Sequence, residues 1–571
     1  MPNLPRLFSR PVRTIHCVGV GGMGLGPLAI YLAGAGYEVS GEDEALTSGM
    51  RVQLVRAGVA VKSLPESCDL LVHTSAAGAS HPVLQAAARR RISLVRRGVL
   101  LAEATRGRKL VAVCGSHGKT TTTAMLITVL RTTGLPAGYV LGGLFGDDTP
   151  PAAYGSGDWV VAEVDESDGT IEAFTPEMTV AVNLDWDHPD HYRDPAALEA
   201  AFVGLFARTR GPVLVSDACA GSARVAPRAR TFGWRGTFRG EPVAESDGRQ
   251  TLRLGGTFPA IDAVVQASGA FNAANATAAL AAAQLMGAEI TSYVLAGYPG
   301  VRRRQTVLKS DQGLTVIEDY AHHPAEIRAL LGSLRSRAGV QRLLVVFQPH
   351  RFSRTAQFKA DFATALAAAD RVYLLDVYGA GEAPLAGGRT ADLRAELATR
   401  APALPVAHAQ EGDEPFFMLL DRDARPGDLV AFVGAGDIDR KARTWLERRA
   451  ASGPAVLGWD ELYEDLARQL TPASKLRREE PLAPKTTMRV GGAARVYVEP
   501  ASVEELRAVW VTARTRRTPV LLLGRGSNLI VPDEGVDGVV VSLAHPAWSI
   551  FEARPGGRVW AGAGLRLKNL W

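Results

Sequence analysis

From residue 14 onward, short β-branched apolar runs alternate with longer runs whose apolar positions recur every three or four residues. That pattern predicts strands followed by helices, stacked into mostly parallel sheets. KLVAVC (109–114) reads as a buried strand, and TTTAMLITVLRTTG as a helix stopped by Gly134. Three alternating blocks follow one another, over 14–102, 108–290 and 306–450, and Gly453-Pro454 interrupt the chain near a change of composition. The expected division is 1–106, 107–300 and 301–452 as α/β domains, 453–475 as a linker, and 476–571 as a fourth unit of α+β type. No internal repeat is present.

Composition narrows the function classes. The 571 residues carry a net charge of +5 with no basic strip interleaved with aromatics, so no nucleic-acid partner is expected. A mild basic balance suits phosphorylated acidic substrates. The four cysteines, Cys17, Cys68, Cys114 and Cys219, are dispersed, which points to reduced thiols in a cytoplasm and away from a disulfide frame or a zinc site. No apolar run reaches the length of a membrane span, and the N-terminus lacks the apolar core of a signal peptide, so no membrane insertion is expected.

The chemistry gathers where apolar runs end. After KLVAVC comes GSHGKT, with Gly115, Ser116, His117, Gly118, Lys119 and Thr120, then Thr121. Strand, glycine turn, Lys-Thr and helix form the context of a phosphate loop. Glycines admit phosphate oxygens to the backbone, the helix N-terminus offers free N–H groups, Lys119 reaches terminal phosphates, and Thr120 can hold Mg²⁺. The usual first glycine would fall at 113, which is Val113. A glycine turn that merely starts a helix is the alternative. A second glycine turn, with Gly19, Gly21, Gly22 and Gly24, follows TIHCV, and Asp43 ends the next strand, placed to meet a ribose hydroxyl in a dinucleotide-type βαβ unit. A plain α/β turn remains open there.

VVAEVDESDGT (160–170) ends an apolar strand in Glu163, Asp165, Glu166 and Asp168, where a Mg²⁺ ligand belongs beside a phosphate loop. Strand alternation puts Glu163 and Asp165 on one face. TVAVNLDWDHPDHY (179–192) ends in Asp187 and His188, and with no cysteine nearby His188 reads as a turn residue. EDYAHHPAE (318–326) and FQPHRFSRT (347–355) offer Tyr320, His322, His350, Arg351 and Arg354 after strands; paired arginines suit a carboxylate or a phosphate, or else a surface helix start.

Taken together and in this order, these motifs, with SGED, GAFNAANA, GVRRR, DVYGAGE and PGDLVAFVGAGDI, resemble the Mur ligase family over about 14–445. The short phosphate loop without its first glycine is a trait of that family. The resemblance implies three α/β domains: a Rossmann-like N-terminal domain for the UDP-sugar, a central ATPase and a Rossmann-like C-terminal domain for the amino acid. It implies an ATP- and Mg²⁺-dependent ligase, of the branch that joins L-alanine to UDP-N-acetylmuramate through an acyl phosphate; a recycling branch that adds a tripeptide shares nearly all the motifs. It places Lys119, His188 and Arg351 in the chemistry, and Gly115 to Thr121 with Asn272 and Asn275 on ATP. It places Gly19, Gly21, Gly22, Gly24, Asp43 and Ser75 on the UDP-sugar, and Tyr320, His322, Arg351 and Arg354 on the amino acid. Thr120 and Glu163 match ligands of one Mg²⁺, and His188 a ligand of a second. Phe271 stands where the family carries a histidine, and Gln305 where it carries an aromatic.

The fourth unit resembles the start of a flavoenzyme family, the UDP-N-acetylenolpyruvoylglucosamine reductases, through PLAPKTTMRVGGAARVYVEP, GRGSNL (524–529) and VWAGAG. Gly524, Gly526, Ser527 and Asn528 match its FAD diphosphate loop. That family's later flavin contacts and proton donor have no counterpart before Trp571, so FAD binding is expected to be weak, reductase activity absent, and strand edges such as VVVSL unpaired.

Overall fold

The computed structural model describes residues 6–74, 77–78, 80–167, 169–189, 191–219, 221–246, 248–310, 314–337, 339–408, 412–452, 459–516, 518–524, 526, 529–554 and 558–565. The chain divides into two compact units, Met1–Arg443 and Thr444–Trp571.

Among the described residues of the first unit, three large sheets accompany a small antiparallel pair, Arg6–Leu7 with Arg10–Pro11. The N-terminal sheet has five parallel strands in the order Ala60–Val61, Glu38–Glu42, Thr14–Val18 (β1), Leu70–His73, Ser93–Arg96. Strand order reverses beside β1, so the crevice at its carboxyl end, beginning at Gly19, is the expected ligand edge of a Rossmann-like sheet. Helix α1 (Leu25–Gly34) leaves that turn, with Leu25, Leu28, Ala29, Tyr31 and Leu32 fully buried. Helix α2 (Arg97–Ala104) closes the sheet.

The central sheet has ten strands, and β2 (Lys109–Cys114) lies inside its parallel stretch. β2 pairs with β3 (Trp159–Glu163) on one side and with β4 (Met178–Ala181) on the other, both parallel. The carboxyl ends of these three strands therefore open on one crevice. Helix α3 (Lys119–Thr133) starts at Gly118 and ends at Gly134, whose left-handed φ of 72° closes the cap by donating to Leu130 and Arg131 carbonyls. It packs on α4 (Ala270–Met286), and alanines at 276, 278, 279, 281, 282 and 283 let the two helices lie close within one core. A helix apolar all round is a buried helix.

The third sheet has six strands, in the order Thr306–Ser310, Leu314–Asp319 (β5), Asp428–Val433, Arg342–Phe347 (β6), Arg371–Leu374, Val406–His408, parallel but for the first. Helix α5 (Pro324–Arg335) follows β5 behind a capping box in which His323 accepts from the backbone and Glu326 reaches back. Helix α6 (Phe352–Leu366) follows β6.

The second unit holds a four-stranded mixed sheet, in the order Lys475–Pro481, Ala493–Glu499, Val536–Ser542, Val520–Leu523. Two expectations are corrected there. The stretch 453–475 is not simply a linker: Trp459–Gln469 is a helix, because WDELYEDLARQ puts Leu462 and Leu466 on one face, and both are buried against Val496, Val498, Val509 and Val541. The strand carrying VVVSL is not an open edge, because strands pair with it on both sides. Among the described residues no helix is long and apolar enough to cross a membrane, and all four cysteines are free.

Candidate active site

The phosphate loop is fixed from outside itself. Asn183, just beyond β4, accepts from the His117 N–H at 2.9 Å and donates to the His117 carbonyl at 2.8 Å. Ser116 donates to the Asp185 carbonyl. Gly118 has φ 78°, and a Cβ there would come within 2.7 Å of the Asn275 carbonyl oxygen, so only glycine brings the loop onto α4. Asn272 and Asn275 are buried at the other wall. Between them opens a cavity of about 530 Å³, lined among others by His117, Gly118, Thr121, Asn272, Asn275 and Arg304. Phe271 and Gln305, the two departures from the family pattern, also line it.

Strand β3 stops at Glu163, so alternation does not extend to Asp165, and the expectation that the two acids share a face fails. Glu163 turns to α3, accepting from Thr120 Oγ1 at 3.1 Å and from Gly142 N–H at 2.7 Å. Asp165 and Glu166 turn the other way and join His188: one ligand atom from each lies within 4.8 Å of the others. Thr120 with Glu163, and Asp165 with Glu166 and His188, are thus two separate groups. A hydroxyl with a carboxylate suits a hard cation such as Mg²⁺. Two carboxylates and an imidazole also suit a divalent cation, and His188 Nδ1 is buried with no hydrogen bond, a donor set with coordination to spare. His188 has φ 56°, and its N–H donates to the Asp187 carboxylate at 2.7 Å.

Lys119 donates to the Glu166 carboxylate at 3.0 and 3.1 Å and to the Gly115 carbonyl at 2.7 Å. Burial opposes its charge, but Glu166 and Asp165 outweigh burial and raise its pKa. Burial pushes the Glu166 carboxyl up against the pull of Lys119. For Asp165 burial is outweighed by Lys119, Arg97 and His188, which hold its carboxyl well below the usual range.

The C-terminal lobe meets this centre through two acid–base clasps. Asp187 takes Arg354 Nε at 3.1 Å and Nη2 at 3.0 and 3.2 Å, with both side chains almost wholly buried. Glu326 lies 3.6 Å from His117 Nδ1 and 3.7 Å from Arg304. His117 and His323 pack ring to ring at 4.5 Å. Burial works against the His117 charge, but Glu326, Asp187 and Asp185 outweigh it and raise its pKa.

The residues expected at the amino-acid end are dealt out unequally. Tyr320 lies under the guanidinium groups of Arg303 and Arg304, at 4.7 and 5.0 Å. His322 packs edge-on to Tyr320 and to His350, and burial takes its pKa down to about 3. Burial takes His350 down to about 2 and His323 to about 4. Arg354 is closed on Asp187 and also meets His350 Nδ1 at 3.3 Å, so its fork serves the interlobe clasp. Arg351 is different. It starts α6 with φ 69° and ψ 136°, a conformation that favours glycine, and its guanidinium stands 3.7 Å from Glu382.

In the N-terminal lobe Gly21 N–H donates to Asp43 Oδ2 at 2.9 Å, and Ala45 N–H to Oδ1 at 2.8 Å. Asp43 thus braces the turn of Gly19, Gly21, Gly22 and Gly24. Ser75, Ser527 and Asn528 lie outside the described residues. Gly526 has φ 62° and sits against Lys485, while Gly524 is exposed. Sequence reading assigned Asn183, Asp187, Glu326 and Arg97 no role at the site, even where it singled out Asp187 at a strand end, since each role is defined by a partner distant in the chain.

Family models agree with this layout. The Mur ligase catalytic domain matches residues 14–109, the Mur ligase middle domain 113–283, the Mur ligase glutamate ligase domain 302–436, and an FAD binding domain 494–571. The chain is 37% identical over 459 residues to a UDP-N-acetylmuramate–L-alanine ligase of Mycobacterium sp. (strain JLS), covering 75% of this chain and 93% of the relative. It is 39% identical over 450 residues to that of Kineococcus radiotolerans, covering 74% and 93%. Among solved structures, UDP-N-acetylmuramate-alanine ligase from Thermotoga maritima superposes with a TM-score of 0.64 at 26% identity, over 77% of this chain and all of that one. A murein peptide ligase of Psychrobacter arcticus shares the fold, with a TM-score of 0.57 at 20% identity, over 76% of this chain and 98% of that one. The chain belongs to the Mur ligase family, with an FAD binding domain at its C-terminal end.

Proposed function

We propose that this protein joins L-alanine to the lactyl carboxylate of UDP-N-acetylmuramate, splitting ATP to ADP and phosphate. One observation carries the reading: the three lobes of the ligase converge on the loops after β3 and β4. Asp165 meets Arg97 of the N-terminal lobe, Glu166 meets Lys119 of the phosphate loop, and Asp187 meets Arg354 of the C-terminal lobe. A reaction that needs a nucleotide-sugar, ATP and an amino acid at one place has that place here.

The chain's residues divide the work as follows. The turn at Gly19 to Gly24 takes the nucleotide-sugar, with Asp43 bracing it. Gly115 to Thr121, Asn272 and Asn275 take ATP. Thr120 and Glu163 would hold one Mg²⁺, and His188, Asp165 and Glu166 a second; bound there, the ions would neutralise charge on the phosphates. A lactyl carboxylate oxygen attacks the γ-phosphorus, the bond to ADP breaks, and the acyl phosphate results. Lys119 exchanges Glu166 for the moving phosphoryl group and stabilises its negative charge. Arg351 orients the alanine carboxylate. The alanine amine attacks the acyl carbon, phosphate leaves, and the nitrogen gives up its proton. The domain limits 1–106, 107–300 and 301–452 assign one substrate to each lobe, and FAD would bind weakly at best near Gly524 and Gly526.

ADP release tests the reading. With UDP-N-acetylmuramate present, L-alanine should support turnover and the tripeptide of the recycling branch should not. Turnover on the tripeptide alone would overturn it.

A further inference from the structure

We propose that Arg97 grips an acid group of the nucleotide-sugar, between the glycine turn and the phosphate-transfer centre. The inference rests on the reading that the acceptor is a UDP-sugar carboxylate. Three features of Arg97 lead to it.

The first is its place. Arg97 is the first residue of α2, and its stem lies across the start of α1: a Cβ at Gly24 would come within 2.9 Å of its Cδ and 3.3 Å of its Cζ. Its guanidinium begins over the same glycine and reaches on, with Nη2 3.5 Å from Asp165 Oδ2. One side chain thus runs from the turn at Gly24 to the acid group that includes Glu166 and His188.

The second is how loosely it is held. Three arginines of this chain show what a closed structural pair looks like. Arg342 takes Asp428 at 2.6 and 2.9 Å, Arg443 takes Glu318 at 2.7 and 2.8 Å, and Arg354 takes Asp187 with two nitrogens. Among the described residues, Arg97 has Asp165 as its one hydrogen-bond partner, through one nitrogen. That distance is long beside the roughly 2.7–2.9 Å of a charge-assisted bond. A guanidinium carries five N–H donors, so most of this fork is left to a further acceptor. Its side chain is 17% exposed, sheltered enough for the charge to act and open enough for a ligand to reach it.

The third is that its base is fixed. A Cβ at Gly98 would collide with Thr170, so the start of α2 is pressed against the segment that follows the acid run. Arg97 can swing only at its head. Helices α1 and α2 both begin beside it, and the positive end of each helix dipole favours the same negative charge. A diphosphate over the glycine turn and a carboxylate nearer Asp165 are the two acid groups of the acceptor, and a fork spanning both places can take either.

The test is equilibrium titration of the full chain with UDP-N-acetylmuramate, with UDP, and with a non-hydrolysable ATP analogue, for wild type, Arg97→Ala and Arg97→Lys. Arg97→Ala should raise the Kd for UDP-N-acetylmuramate at least about tenfold and change that for the ATP analogue less than about twofold. Arg97→Lys, which keeps the charge but not the fork, should fall between. Equal weakening of UDP would assign the diphosphate, and unchanged UDP binding the lactyl carboxylate. An acceptor Kd within about twofold of wild type, or equal losses for acceptor and ATP analogue, would overturn the inference. If Arg97→Ala does not fold, Arg97→Lys decides by the same comparison. Failure of the wild-type chain to bind UDP-N-acetylmuramate would instead remove the functional reading, and this inference with it.

Discussion

Lys119 has one charge and two uses for it. In this structure it neutralises Glu166, which is fully buried; during phosphoryl transfer the same ammonium faces the moving phosphate. Lys119→Ala should lower kcat at least about a hundredfold, in the range found when one donor to a developing oxyanion is lost. A variant keeping a tenth of the wild-type rate would contradict this, since that is only about 1.4 kcal/mol. The arginines of α6 should separate in the same way. Arg351→Ala should raise the KM for alanine more than that for ATP and lower the melting temperature less than Arg354→Ala does. Arg354→Ala leaves the Asp187 carboxylate buried and unpaired, which costs about 3–5 kcal/mol. It should therefore lower the melting temperature as well as the rate, and equal melting curves for the two variants would refute the distinction.

Elements carry the next level of specificity. The junction of β2 and α3 works because Gly118 takes a left-handed φ and leaves room for Asn275, so Gly118→Ala pushes its methyl into that amide. ATP-analogue binding should weaken more than about tenfold while UDP-sugar binding holds, since the N-terminal lobe is untouched; unchanged ATP affinity would contradict the placement. Much at this scale was legible in the sequence. GSHGKT between a β-branched run and a helical run, and Gly134 after it, announce strand, turn, helix and stop, because each signal is local. The fate of the acids after β3 was not legible. Alternation fails once a strand ends, and Glu163, Asp165 and Glu166 are sorted by Thr120, Arg97 and Lys119, which lie 43 or more residues away. The Asp187–Arg354 clasp spans 167 residues and has no local signal at all. The helix at Trp459–Gln469 was overlooked for another reason: its charged residues mask a two-leucine stripe that matters only once the sheet beneath it exists.

For the whole molecule the buried histidines set a pH dependence. His322, His323 and His350 have pKa values near 3, 4 and 2 in the folded chain, against about 6.5 when unfolded. Below about 6.5 the unfolded chain binds protons that the folded chain refuses, so stability rises with pH and is lost as pH falls. His117, whose pKa is raised, and Asp319, raised by burial to about 6, act in the opposite sense. Burial also lowers His16 to about 4, in the same sense, and raises the Glu163, Glu166 and Glu318 carboxyls, in the opposite one. The histidine share is therefore read by difference: His350→Gln should lose less melting temperature between pH 7 and pH 5 than wild type, and parallel profiles would contradict a buried neutral His350. The clasps at Asp187 and Glu326 join the central and C-terminal lobes beside these histidines, which pack on His117 and Arg354, so the acid loss should accompany loss of activity rather than follow it.

The convergence of three lobes is proposed to make an acyl phosphate on the lactyl carboxylate, and one measurement addresses that step alone. UDP-N-acetylmuramate labelled with ¹⁸O in its carboxylate is turned over with ATP and L-alanine, and the released phosphate is analysed by mass. Attack of the carboxylate on the γ-phosphorus carries one labelled oxygen into each phosphate. Phosphate without label, formed alongside the alanyl product, would show that the carboxylate never bonded to phosphorus and would contradict the account.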